Sequence, residues 1–137
     1  MKAGVVDSIT SQTPAKILVV DDEHDIQTLF QLKFRKEIRN NEIEFAFAFS
    51  GEEAIGYLNS LKHEAVLILS DINMPGMSGL ELLRIIKKKF ESPPPVVMMV
   101  TAYGDEDNYN TAMQYGADDF LTKPLDFNLL KEKLKSI

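Results

Sequence analysis

"ILVVDDEHD", residues 17–25, runs four apolar residues straight into Asp21 and Asp22, with Glu23 and Asp25 just beyond. An unbroken apolar run of that length fits a strand covered on both faces, as in a parallel sheet between helices. The acids at its end pose an electrostatic problem. Carboxylates a few ångströms apart repel one another, and burial sharpens the repulsion. A compensating charge has to come from elsewhere in the fold.

Working outward, "KILVV" (16–20) is followed by four more strand-like runs: "IEFAFAF" (43–49), "AVLILS" (65–70), "PVVMMVT" (95–101) and "DDFLT" (118–122). The first, third and fourth are apolar nearly throughout. "IEFAFAF" instead alternates large and small residues, which suits a place nearer the sheet edge. Between the strands, apolar residues recur at helical spacing. Ile26, Leu29, Phe30, Phe34 and Ile38 form one stripe, and Ala54, Ile55, Leu58 and Leu61 a second, opened by Ser50 and Glu53 as a capping box. Leu80, Leu83, Ile86 and Phe90 form a third, Tyr109, Ala112 and Met113 a fourth, Leu130 and Leu134 a fifth. Core packing accounts for these stripes. Strict alternation of strand and helix predicts a parallel sheet with right-handed crossovers and helices on both faces. The site of such a fold lies beyond the carboxyl ends of its strands.

Composition narrows the function. At 137 residues the chain suits one domain, with 45% hydrophobic and 26% charged residues. A net charge of −6 and a pI near 4.9 argue against a broad nucleic-acid surface. With no cysteine there is no disulfide, thiolate zinc site or cysteine nucleophile; this fits a cytoplasmic setting. Apolar runs such as "VVMMV" (96–100) are too short to cross a bilayer. Residues 1–15 read as a polar leader without a secretory signal's apolar stretch, and 16–137 as the domain.

The residues just past each strand decide the chemistry. They are Asp21 and Asp22, then Asp71 in "LSDINMPGMSG", Thr101 in "VTAYGD", and Lys123–Pro124 in "FLTKPLD". Three carboxylates at one sheet edge suit a hard divalent cation, and Mg²⁺ above others. Lys123 adds a second positive charge. A metal held by acids, beside a hydroxyl and an ammonium, is equipped for phosphoryl transfer, and a carboxylate can itself be the nucleophile. Asp71 is the candidate nucleophile, because it stands alone on its strand whereas Asp21 and Asp22 come as a pair.

The stretches "VVDDE", "SDINMPGMSG", "VTAYGD" and "GADDFLTKP", in that order and spacing, resemble the receiver domain of two-component response regulators, from about Lys16 to Leu134. The resemblance implies a doubly wound, flavodoxin-like sheet of five parallel strands in the order 2-1-3-4-5, with five helices. It implies a phosphorylation-dependent switch rather than an enzyme, in which Asp71 accepts a phosphoryl group from a sensor histidine kinase or a histidine phosphotransfer protein. Asp22 and Asp71 would bind Mg²⁺ directly, Asp21 mainly through water, and the Asn73 backbone carbonyl would complete the protein ligands. Thr101 and Lys123 would grip the phosphoryl oxygens, and the Lys123–Pro124 bond is expected to be cis. Thr101 and Phe120 would be the switch pair. The output would pass through the face of the fourth helix, fifth strand and fifth helix to a downstream protein target or output domain, without nucleic acid or membrane contact by this domain. Phe120 lacks the hydroxyl of a tyrosine, so its switching would be steric. Tyr103 would lie near the mouth of the site.

Other readings weigh less. A pseudo-receiver working without phosphorylation does not need the full set of acids, Thr101 and Lys123. A flavin module needs a phosphate-binding loop after the first strand, where this chain has four acids, and an aspartate-nucleophile phosphatase needs D-x-D spacing there. His24 and His63 read as surface residues, Lys87 to Lys89 as a solvated helix end, Gly76 and Gly79 as turn residues, and "ESPPPV" (91–96) as a stiff loop. Asp118 and Asp119, at the entry to the fifth strand, read as strand-entry or loop acids and not as metal ligands.

Overall fold

The computed structural model describes residues 14–60, 67–90, 95–102 and 104–135. Its elements are β1 (Ala15–Val20), α1 (Asp25–Lys33), α2 (Arg35–Arg39), β2 (Ile43–Ala48), α3 (Gly51–Ser60), β3 (Leu67–Asp71), α4 (Gly79–Lys89), β4 (Val96–Thr101), α5 (Glu106–Gln114), β5 (Asp119–Thr122) and α6 (Phe127–Lys135). The five strands form one parallel sheet in the order β2-β1-β3-β4-β5. The doubly wound architecture and the strand order are those expected. The alternating strand, β2, is indeed an edge. Leu61, His63 and the start of "AVLILS", most of the Pro loop, Tyr103 and residues 1–13 lie outside the described residues.

Period-2 alternation sends β residues to opposite faces, and each face has its own core. Leu18, Val20, Ile68, Val97 and Met99 pack with Ala54 and Leu58 of α3, Leu82, Leu83 and Ile86 of α4, and Ala112 of α5. Ile17, Val19, Leu69, Met98, Val100 and Leu121 pack on the other face, with Phe30, Phe34 and Leu130. On that second face Phe30 is ringed by Phe34, Phe45, Phe47 and Phe127 at centroid distances of 5.8, 5.4, 6.3 and 5.1 Å. The last three cross edge to face, the arrangement the ring quadrupole favours.

Among the described residues the helices number six rather than five. The first stripe is divided at Phe34, whose backbone leaves the helical region at φ −108° and ψ 21°. Hydrogen bonds still run through it, from Phe34 N–H to Phe30 O and from Ile38 N–H to Phe34 O, each 2.9 Å. The periodicity therefore continues while the backbone bends, and a pattern of side chains carries no trace of the bend. Two members of the fourth stripe are also solvent-facing: Tyr109 is 42% and Met113 52% exposed, so only Ala112 anchors α5 in the core.

Local capping explains where the helices near the site begin. Ser50 Oγ accepts from Glu53 N–H at 3.1 Å, and Glu53 Oε1 accepts from Phe49 N–H at 2.8 Å. The return bond thus reaches one residue further back than in the usual box. Ser78 caps α4 by accepting from Glu81 N–H. Gly79 then brings α4 against β3: its N–H donates to Ile72 O at 2.8 Å, and a Cβ there would run into Asp71 O and Ile72 Cα. Only glycine allows that approach.

Candidate functional site

The carboxyl ends of β1, β3, β4 and β5 meet at one rim of the sheet. Oxygens of Asp21, Asp22 and Asp71 all lie within 4.8 Å of one another. Asp71 ends β3 and is 3% exposed; Asp21 and Asp22, just past β1, are half-buried. Lys123, just past β5, places Nζ 2.9 Å from Asp71 Oδ2. The other oxygen, Oδ1, accepts from Asn73 N–H at 3.2 Å. Part of the compensating charge demanded by the acids is therefore already in place.

Thr101 ends β4 and is 4% exposed. Its carbonyl accepts from Lys123 N–H at 2.9 Å, and Ile72 N–H donates to the carbonyl of neighbouring Val100. These two bonds tie the chain after Asp71 and the chain before Lys123 to one strand end. The Lys123–Pro124 peptide is cis. Asn73 is exposed, on the loop that turns at Gly76 with φ 73°. Beside the acids opens a cavity of 510 Å³ whose walls include Asp21, Asp71, Lys123, Leu29, Leu125 and Phe127.

The electrostatics of the cluster are strained in one direction. Burial raises the Asp21 pKa above its ordinary value, and the charges of Asp71 and Glu23 raise it further. The Glu23 N–H, which donates to Asp21 Oδ1 at 2.9 Å, and the Lys123 ammonium oppose the rise without cancelling it. For Lys123, burial disfavours the ammonium. The hydrogen bond to Asp71 and the charges of Asp71, Asp21 and Glu23 outweigh burial and raise its pKa. One lysine thus faces several acids, and the surplus negative charge suits a hard cation with oxygen ligands.

Phe120 is half-buried in β5 and opposes Met99 of β4. Thr101 lies two residues beyond Met99, so Thr101 and Phe120 share one face of the sheet, a pleat apart. The Phe120 ring rests against Tyr109 of α5 at 4.3 Å between centroids.

Several contacts escaped the sequence. Lys87 is not a solvated helix end: its Nζ reaches Asp118 Oδ2 at 2.7 Å and Pro95 O at 2.9 Å, leaving the side chain 18% exposed. Asp118 also accepts from Val97 N–H, so it joins β4, β5 and α4. Asp119 receives Lys133 of α6 at 3.0 Å through both oxygens. His24 is exposed, and its ring stacks on Phe49 at 3.9 Å. These pairings span loops and whole elements, and no local pattern encodes them.

Residues 17–135 match the response regulator receiver domain family, and the chain belongs to it. It is a receiver domain of the two-component type, a signalling switch rather than an enzyme in the ordinary sense. Solved structures agree. The chain is similar to the chemotaxis response regulator CheY4 of Vibrio cholerae, at 25% identity over 90% of this chain and 98% of that one, with a TM-score of 0.76. A receiver domain protein from Clostridium thermocellum matches at 31% identity over 89% and 92%, TM-score 0.76. The receiver domain of NtrX from Brucella abortus matches at 32% over 88% and 95%, TM-score 0.72. None of the described helices is long and apolar enough to cross a membrane.

Proposed function

We propose that this receiver is switched by phosphorylation of Asp71, with a phosphohistidine on a cytoplasmic sensor kinase or phosphotransfer protein as donor. The observation that carries the reading is a buried carboxylate with Lys123 Nζ 2.9 Å from one oxygen, Asn73 N–H 3.2 Å from the other, and two further acids within 4.8 Å. An Asp71 oxygen attacks phosphorus, the P–N bond breaks, and the imidazole nitrogen leaves with the bonding pair. The product is an acyl phosphate on Asp71, which water later cleaves to inorganic phosphate and the free carboxylate. Lys123 pairs with a phosphoryl oxygen in place of Asp71 Oδ2, and Thr101 supplies a hydroxyl to another.

The donor set fits Mg²⁺: Asp22 and Asp71 as direct ligands, Asp21 through water, and the Asn73 carbonyl. When bound, the ion neutralises the acids and the oxygens of the transferring group. The residues of the chain do the rest, by holding Asp71 fixed between Lys123 and Asn73.

Intact mass after incubation with acetyl phosphate and Mg²⁺ tests the assignment. The wild type gains one phosphoryl group, and both Asp71→Asn and excess EDTA abolish the gain, because an amide lacks the anionic nucleophile. Full labelling of Asp71→Asn would overturn the proposal.

A further inference from the structure

Asp22 sits between two anchors and has none of its own: among the described residues its side chain makes no hydrogen bond or ion pair. On one side, Asp21 N–H donates to Ala48 O at 3.1 Å, and Asp21 Oδ1 accepts from Glu23 N–H at 2.9 Å. On the other, the His24 imidazole lies on the Phe49 ring, with centroids 3.9 Å apart and planes within 8°. Phe49 is itself fixed, because its N–H donates to Glu53 Oε1 and Glu53 N–H donates to Ser50 Oγ at the start of α3. His24 holds the N-cap position of α1, where Ser, Thr, Asp or Asn would usually accept from a helix N–H. Its side chain makes no such bond and turns to Phe49 instead.

A carboxylate without anchors loses side-chain and loop freedom when it takes up a cation, and fixing the backbone beside it beforehand lowers that cost. We propose that the His24–Phe49 stack is a clamp that positions the Asp22 carboxylate, so that a contact between two rings outside the ligand set governs Mg²⁺ affinity. The proposal rests on the reading of Asp21, Asp22 and Asp71 as the cation site. His24 acts as a positioning residue and not as a ligand. Among the described residues, the potential ligand atoms within 4.8 Å of one another come from those three acids, and Mg²⁺ takes oxygen ligands. The clamp also brings in β2, whose end supplies none of the acids, the hydroxyl or the lysine of the site: Phe49 directly follows that strand.

Titration of the full chain with Mg²⁺, followed by amide NMR, tests it. His24→Ala is expected to weaken binding by about two- to tenfold, the range that a stacked aromatic pair contributes. Phe49→Ala should weaken it alike, and the double variant no further than the weaker single one, because one contact is lost only once. His24→Phe keeps a ring and removes both nitrogens, and should bind as wild type does. His24 is exposed, so its variants keep the fold, which their amide spectra in EDTA check. The clamp is refuted, with the assignment of Asp71 left standing, if wild type binds Mg²⁺ and His24→Ala binds it equally well. It is refuted also if the losses of the two single variants add, or if His24→Phe binds as weakly as His24→Ala, since the nitrogens and not the stack would then matter. Absence of Mg²⁺ binding in wild type would overturn the cation site itself, and the clamp with it.

Discussion

Asp21 carries a cost that its neighbours do not remove. Its folded pKa stands above the ordinary value of 3.8 because of burial first and the Asp71 charge next. Ionised, it is worse off folded than unfolded, so at neutral pH it subtracts from stability, and the penalty fades as pH falls through the raised value. Lys123 has the opposite sign: its raised pKa contributes stability at neutral pH, lost only as pH climbs through that value. Asp21→Asn should therefore raise the melting temperature in EDTA. The gain should be a few degrees, because solvent screens this half-buried group. The same variant should need more Mg²⁺ to reach its thermal shift. A melting temperature in EDTA unchanged or lowered relative to wild type would contradict the electrostatic account.

Among the elements, the bend between α1 and α2 turns on Phe34. Its side chain is fully buried, 5.0 Å from the Phe45 ring and 6.1 Å from that of Phe127. Phe34→Ala should cost about 3–5 kcal/mol in urea unfolding, by lost burial and the cavity left behind. A cost below about 1 kcal/mol would mean that the aromatic cluster collapses freely around the gap. The five strands were legible because each apolar run, bounded by Gly, Pro or charge, has few alternatives in an α/β chain. The convergence of Asp21, Asp22, Asp71 and Lys123 was legible for a topological reason: a parallel sheet brings all its strand ends to one rim. The bend at Phe34 was hidden, because residues on both sides keep the same helical phase. Lys87 was hidden too. Its partner Asp118 is 31 residues away, and a run of three lysines looks alike whether one of them is bonded or none is.

Across the whole molecule, the route from Asp71 to the surface of α5, β5 and α6 crosses two strands. Thr101 and Phe120 share a sheet face, and the Phe120 ring already touches Tyr109 on α5. If the Thr101 hydroxyl turns toward a phosphoryl group, it vacates space on that face, and Phe120 is the aromatic ring one pleat away. A two-state equilibrium of that surface would need a bias of only a few kcal/mol to change its major state. Thr101→Ala should accept phosphate yet lose the response of that surface. Amide NMR with and without beryllofluoride, a phosphoryl mimic, reads this directly. The same shifts around Phe120 and α5 in variant and wild type would refute the route.

The edge position of β2 has a consequence for the protein in bulk solution. Among the described residues no strand covers its outer side, so the hydrogen-bonding groups of "IEFAFA" on that side are open to pairing with another copy. Two features oppose such stacking: Glu44, the one charge in the strand, and the mutual repulsion of molecules carrying −6. Near pH 4.9 the second of these vanishes. Colloidal stability should then rest on a single glutamate, so mildly acidic buffer is where this receiver is most prone to precipitate.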